Sequence, residues 1–183
     1  GGLEGATIPR IAARAGLSPG AVYRRFPDKD AVLQTVVLTE LEQMDENMTQ
    51  LTPVLAEQGS LQDFAKQMIQ QSLQIHRQYS TLKRTLDQYV LTHPNAAFRK
   101  KVFKLNVRTI RRVADFLLLK RKEIKHPDPE AAVSFALIQL ASTLRDVTLV
   151  DTISEDWSSI LPKDDDQLLR ELTRAFLSYL GVK

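Results

Sequence analysis

The chain contains no cysteine, which excludes disulfides, thiolate metal sites and cysteine nucleophiles and fits a reducing compartment such as the cytoplasm. Glycine and proline are scarce, at seven and eight in 183 residues. They fall between long periodic runs, so the expected fold class is all-α. No apolar run approaches the length of a membrane span, and no signal peptide is visible. Histidine is sparse as well. His76, His93 and His126 stand far apart and belong to no H-x-x-x-H or H-E-x-x-H pattern, so no metal site is expected. A glycine-rich phosphate loop, a G-x-S-x-G elbow and any motif-placed pair of carboxylates are also missing. No catalytic residue and no cofactor is therefore assigned. The run Asp164 to Asp166 reads as a helix start, because three adjacent residues point three ways around a helix and cannot converge on a cation.

What is present is charge in blocks. A net charge of +3 is too small to argue for nucleic acid. From Arg99 to Lys125, however, eleven basic residues face two acidic ones, and Asp151 to Asp166 is acidic with Lys163 as its only cation. The length allows one medium domain, or a small domain joined to a larger one.

The informative stretch runs from Thr7 to Lys29. Ile8, Ile11, Ala12 and Ala15 recur at i, i+3, i+4 and i+7, one stripe of a short helix that Thr7 can cap. Gly16-Leu17 makes a corner. Ser18 can then cap a second helix with Pro19 at its first position, where a missing N–H costs nothing. Val22 and Phe26 share the face that packs back on the first helix, which leaves Pro19, Gly20, Ala21, Tyr23, Arg24 and Arg25 toward solvent. A small, smooth, cationic face suits an α-helix entering the major groove, with arginine for guanine edges or phosphate and a tyrosine hydroxyl for phosphate. An ordinary αα-corner in a bundle is the alternative for a generic helix-Gly-helix.

The pattern IAxxAGLSxGxxYxxFxxK, carried by Ile11, Ala12, Ala15, Gly16, Leu17, Ser18, Gly20, Tyr23, Phe26 and Lys29, closely resembles the DNA-binding signature of the tetracycline-repressor (TetR) family of transcriptional regulators. The resemblance implies that Pro19 to Phe26 is the recognition helix and that Thr7, Ser18, Tyr23 and Lys29 hold the phosphate backbone. Lys29 suits that role physically too, at a helix start where the dipole favours an anion. Arg25 stands where the family most often has histidine, so base preference is expected to differ. The family also begins with a helix ahead of the motif. Only Gly1 to Ala6 precede Thr7 here, and the expectation is that the first helix is missing.

A third helix is expected from Asp28–Asp30 to Thr52-Pro53, carrying Leu33, Val37, Leu41, Met44, Met48 and Leu51 as a mechanical link. Ser60 and Asp63 form a capping pair for a helix whose apolar face bears Leu61, Phe64, Ala65, Met68, Ser72, Ile75 and His76. A separate helix with Leu82, Leu86, Tyr89 and Val90 ends before His93-Pro94. The longest helix is expected from about Asn95 to Lys122. Its inward line is Phe103, Val107, Ile110, Ala114 and Leu117, and its outer stripe Lys100, Lys101, Lys104, Arg108, Arg111 and Arg112 reads as solvated. Asp128-Pro129-Glu130 opens a helix apolar almost all round, with Phe135, Ile138 and Ala141 among its members, whose surplus faces call for a second subunit. An acidic loop with Trp157 and Pro162 precedes a last helix that Gly181 stops. The last two helices would form a four-helix dimer interface.

The expected organisation is a helix-turn-helix DNA-binding domain over residues 1–48 and a helical effector-binding and dimerisation domain over 49–183. Met68, Ser72, His76, Leu86, Tyr89, Phe103, Val107 and Ile110 mix bulky apolar and polar groups and are the expected pocket for a small-molecule effector, whose presence the resemblance implies. The functional reading is a cytoplasmic, homodimeric regulator of a pseudo-palindromic double-stranded DNA operator, a repressor with no membrane partner that a small-molecule effector releases from the operator. A helical ligand-binding or adaptor dimer with a non-functional helix-turn-helix is the rival, and an all-α enzyme using the central cavity is a weaker third.

Overall fold

The computed structural model describes residues 5–57, 59–150, 159, 162 and 164–182. Helices α1 (Ile8–Arg14) and α2 (Pro19–Tyr23) form a small head on the long α3 (Lys29–Glu57). Helices α4 (Leu61–Thr92), α5 (Ala96–Leu119), α6 (Pro129–Val150) and α7 (Asp165–Leu180) form the body. Local signals set the boundaries. Ser60 and Asp63 make a reciprocal capping box on α4. The Asn95 side chain accepts from the N–H groups of Ala97 and Phe98 to start α5, and Asp164 accepts from Gln167 to start α7. Gly181, at φ 69°, ends α7.

Three boundaries differ from expectation. Helix α3 passes through Pro53 to Glu57, since one missing N–H removes one bond without ending a helix that packing supports. The two helices expected between Leu61 and Thr92 are one helix of 32 residues, because the stretch from His76 to Thr81 holds neither glycine nor proline. Helix α5 is therefore not the longest. It stops at Leu119 and is followed by a 3-10 turn over Arg121–Glu123. Trp157 lies outside the described residues, as do the side chains of Met48, Leu51 and Leu82.

The large core lies among α4, α5, α6 and α7, around Leu61, Ile69, Leu117, Val133, Leu144 and Leu180. At about 1.5–3 kcal/mol for each fully buried aliphatic side chain, this cluster dominates stability. The apolar stripe of α4 follows Leu61, Phe64, Ala65, Ile69 and Leu73, while Ile75 is largely exposed. Helix α5 serves two neighbours. Its first half buries Phe98 and Val102 with Val37 of α3, and its second half buries Ala114 and Leu117 in the large core. The inward line thus rotates along the helix, and Phe103 and Val107, expected inside, are each 47% exposed. Helix α3 packs chiefly on α5.

Candidate nucleic-acid interface

The head is built by a corner that only glycine makes cheaply. Gly16 sits at φ 67°, the Leu17 N–H returns to the Ala12 carbonyl at 2.9 Å, and the Gly16 N–H to Ala13 at 3.3 Å, which satisfies the last carbonyls of α1. Thr7 occupies the cap position of α1, but its side chain makes no capping hydrogen bond; its carbonyl accepts from Ile11 instead. Ser18 does cap, its Oγ accepting from the Ala21 N–H at 3.1 Å. Ile8, Ala12 and Val22 bury against Val32 of α3, with Ile11 and Phe26 packed around them. The first turns of α3 are therefore part of the head.

The outer face of α2 is largely open to solvent. Pro19, Gly20, Tyr23, Arg24 and Arg25 are exposed and Ala21 is half-buried. Regular α2 ends at Tyr23, yet the N–H groups of Arg24 and Phe26 still bond four residues back, so the helical path carries both arginines. A Cβ placed on Gly20 would meet nothing nearer than Ser18 Oγ at 4.0 Å. The fold of the head does not need glycine there. Lys29 opens α3 beside Asp28, whose carboxylate accepts from the Ala31 N–H at 2.8 Å. This is a compact convex surface of small side chains, three cations and one phenol.

Residues 1–36 match the family model described as bacterial regulatory proteins, tetR family. The match spans the helix-turn-helix head and the first turns of α3. The fold of the whole chain also has solved counterparts. A protein of Mesorhizobium loti assigned to the TetR-family transcriptional regulators superposes with a TM-score of 0.72 at 20% identity, over 96% of this chain and 87% of that one. The fatty acid degradation regulator FadR of Bacillus halodurans gives 0.68 at 15% identity, over 99% and 89%. FadR of Bacillus subtilis, solved in complex with stearoyl-CoA, gives 0.65 at 18% identity, over 98% and 89%. No curated protein matches the chain.

The eight residues expected to form an effector pocket do not share one cluster. Met68 and Ile110 pack against the large core, and Ser72 and His76 lie half-buried further along α4. Leu86 and Tyr89 pack with Val37, Val90, Phe98 and Val102 under the head. Phe103 and Val107 stand on the arc of α5 that neither α3 nor the large core covers. Burial lowers the pKa of His76, partly offset by its hydrogen bond to the Ser72 carbonyl at 2.8 Å.

Sequence reasoning missed two polar junctions that hold α3. At its far side, Asp45 is 3% exposed and pairs with Arg108 at 2.8 Å and Arg112 at 3.1 Å. These groups line a cleft of about 450 Å³ with Glu42, Glu46 and Thr49. Half of the supposedly solvated basic stripe is thereby paired to α3, since Lys101 also approaches Glu42 at 3.7 Å. At the near end, Asp30 accepts from the Tyr89 hydroxyl at 2.6 Å and lies 3.1 Å from His93 Nε2. No local signal marks either junction, because the partners stand about sixty residues apart. Among the described residues, no three metal-ligating side chains converge and no helix is long and apolar enough to cross a membrane.

Proposed function

We propose that the protein is a homodimeric, effector-responsive repressor that places the Pro19–Phe26 segment of each subunit in successive major grooves of a pseudo-palindromic operator. The carrying observation is the exposed face of α2, where Gly20 and Ala21 permit close approach while Tyr23, Arg24 and Arg25 supply phosphate and base contacts. Thr7, Ser18, Pro19 and Lys29 complete the contact set, with half-sites roughly 34–36 Å apart. Such a protein works in the cytoplasm, where bacterial DNA lies.

Dimerisation is assigned to α6 and α7. Phe135 and Ile138 are 48% and 51% exposed, and the Phe135 and Tyr179 rings lie 5.6 Å apart on the outside of this pair. Large apolar groups gathered on two adjacent helices favour burial against a two-fold mate. The division between DNA-binding residues 1–48 and effector-binding residues 49–183 then falls inside α3.

The effector class favoured is an extended apolar molecule with an anionic group. Phe103 and Val107 share one face of α5 with Lys100, Lys104 and Arg111, which are all exposed. The complex of Bacillus subtilis FadR with stearoyl-CoA gives this class a precedent on a similar fold. An effector that prefers the conformation with the heads at the wrong spacing weakens operator binding by the same coupling energy, typically about 1–3 kcal/mol.

The deciding experiment is selection of genomic DNA fragments by the purified protein, sequenced after washes at two salt concentrations. A few inverted-repeat sites surviving the higher salt support the reading and supply the operator for effector screening. Retention at low salt only, without sequence preference, rejects it in favour of a ligand-binding or adaptor dimer with a silent helix-turn-helix.

A further inference from the structure

The junction at the head of α3 is a built one. Asp30 follows Lys29 directly and lies two residues before Val32, which anchors α1 and α2. Its carboxylate receives three side-chain donors: the Tyr89 hydroxyl at 2.6 Å, His93 Nε2 at 3.1 Å from both oxygens, and Gln34 Nε2 at 2.7 Å. Burial opposes its ionisation, but these bonds prevail and hold its pKa below the ordinary carboxylate value.

On the body side His93 joins α4 to α5, beside the direct bond from Tyr89. The Asn95 N–H donates to His93 Nδ1 at 3.0 Å, so Nε2 carries the proton and faces Asp30 as a donor. The ring is 5% exposed and stands edge-on between Tyr89 of α4 and Phe98 of α5, with centroids 5.0 and 4.8 Å away. Arg99 of α5 donates to the His93 carbonyl at the end of α4. A shift of α4 against α5 therefore moves this ring, and with it the donor that Asp30 meets. Val37, buried with Phe98 and Val102 of α5, stands seven positions on from Asp30, about 10 Å along the helix. The junction ties the first turn of α3 to the end of α4.

We propose that His93 and Tyr89 are positioning residues for DNA recognition: by holding Asp30 they set the tilt of the α1–α2 head on the body, and hence the half-site spacing that the dimer accepts. This rests on the operator-binding reading above. Neither side chain contacts DNA.

The test uses the full chain and the operators recovered by genomic selection, together with versions of them lengthened or shortened by one base pair between half-sites. Tyr89→Phe, His93→Leu and His93→Gln are compared with the parent, the last because its amide can replace the Nε2 donor. Tyr89→Phe and His93→Leu are expected to lose roughly five- to thirty-fold in affinity at the natural spacing and to discriminate less against the altered spacings. The salt slope stays at the parent value, as no phosphate contact is lost. His93→Gln recovers most of the discrimination. Variants that keep parental affinity and spacing preference overturn the proposal, and so does equal loss in His93→Leu and His93→Gln, which would make the ring mere packing. Urea unfolding of each variant separates the effects, since a loss that follows the unfolding midpoint on every DNA also counts against positioning. A parent that selects no site overturns the operator-binding reading and this proposal together, whereas a selective parent with indifferent variants overturns this proposal alone.

Discussion

Asp45 of α3 and Arg108 of α5 meet at 2.8 Å, and the two ends of the pair differ sharply in exposure: the Asp45 side chain is 5% exposed and that of Arg108 49%. Arg112 reaches the other carboxylate oxygen with its own side chain 37% exposed. The anion is buried while both cations keep water. Removing the anion strands nothing, whereas removing the cations strands a charge. Asp45→Ala is therefore expected to cost roughly 1–3 kcal/mol, and the double change Arg108→Ala with Arg112→Ala more, toward about 3–5 kcal/mol. Urea midpoints at constant m decide it; equal losses would mean that water reaches Asp45.

The glycines separate by role. Gly181 at φ 69° would place a Cβ 3.0 Å from Lys125 Cβ and 3.3 Å from the Lys125 carbonyl carbon, so Gly181→Ala combines backbone strain with a clash and should cost about 1–3 kcal/mol. Gly20→Ala meets open space and should hold or raise stability by up to about 1 kcal/mol, yet weaken DNA binding by keeping the backbone off the groove. Unfolding midpoints and operator affinity are read together. Undiminished affinity in Gly20→Ala would remove close approach from the mechanism.

Tyr23 is 54% exposed on the face of α2, and Lys29 opens α3. Tyr23→Phe and Lys29→Ala are expected to weaken binding to all sequences alike, and Lys29→Ala to flatten the salt dependence by about one unit. Arg24 and Arg25 are the candidates for altered base preference. A salt slope unchanged by Lys29→Ala would sink its assignment as a phosphate contact.

Burial makes His76 harder to protonate when folded than when unfolded, while the Ser72 carbonyl and Asp87 act the other way and Lys83 adds to the burial effect. The unfolded chain thus binds the extra proton first. Stability from this site is complete above the ordinary histidine pKa of 6.5 and is lost as pH falls below it. The urea midpoint should drop between about pH 7.5 and 5.5, and His76→Gln should make that drop shallower. An identical pH profile in the variant would assign the effect elsewhere.

Ile138→Glu introduces a charge on the outside of α6 where Ile138 is 51% exposed, so the isolated subunit should fold normally. Sedimentation should instead show a monomer, and operator affinity should collapse because one head alone reads only half a site. A dimer with parental affinity would move the interface away from this face.

The amino-acid order alone determined what is decided within a turn or two of chain. Ser18, the Ser60–Asp63 box and Gly181 act over at most four residues, and each stands where its local chemistry requires. The helix-turn-helix was legible for the same reason. Two local signals mislead: Pro53 does not end α3, and nothing after His76 interrupts α4. What only the tertiary structure decided is which part of a wide apolar arc is buried and which distant polar groups meet. Half the circumference of α5 is apolar, and its neighbours α3 and the large core, not its periodicity, leave Phe103 and Val107 outside. Asp30 finds His93 across 63 residues of chain, a pairing that no propensity encodes because it exists only once two helices have been packed side by side.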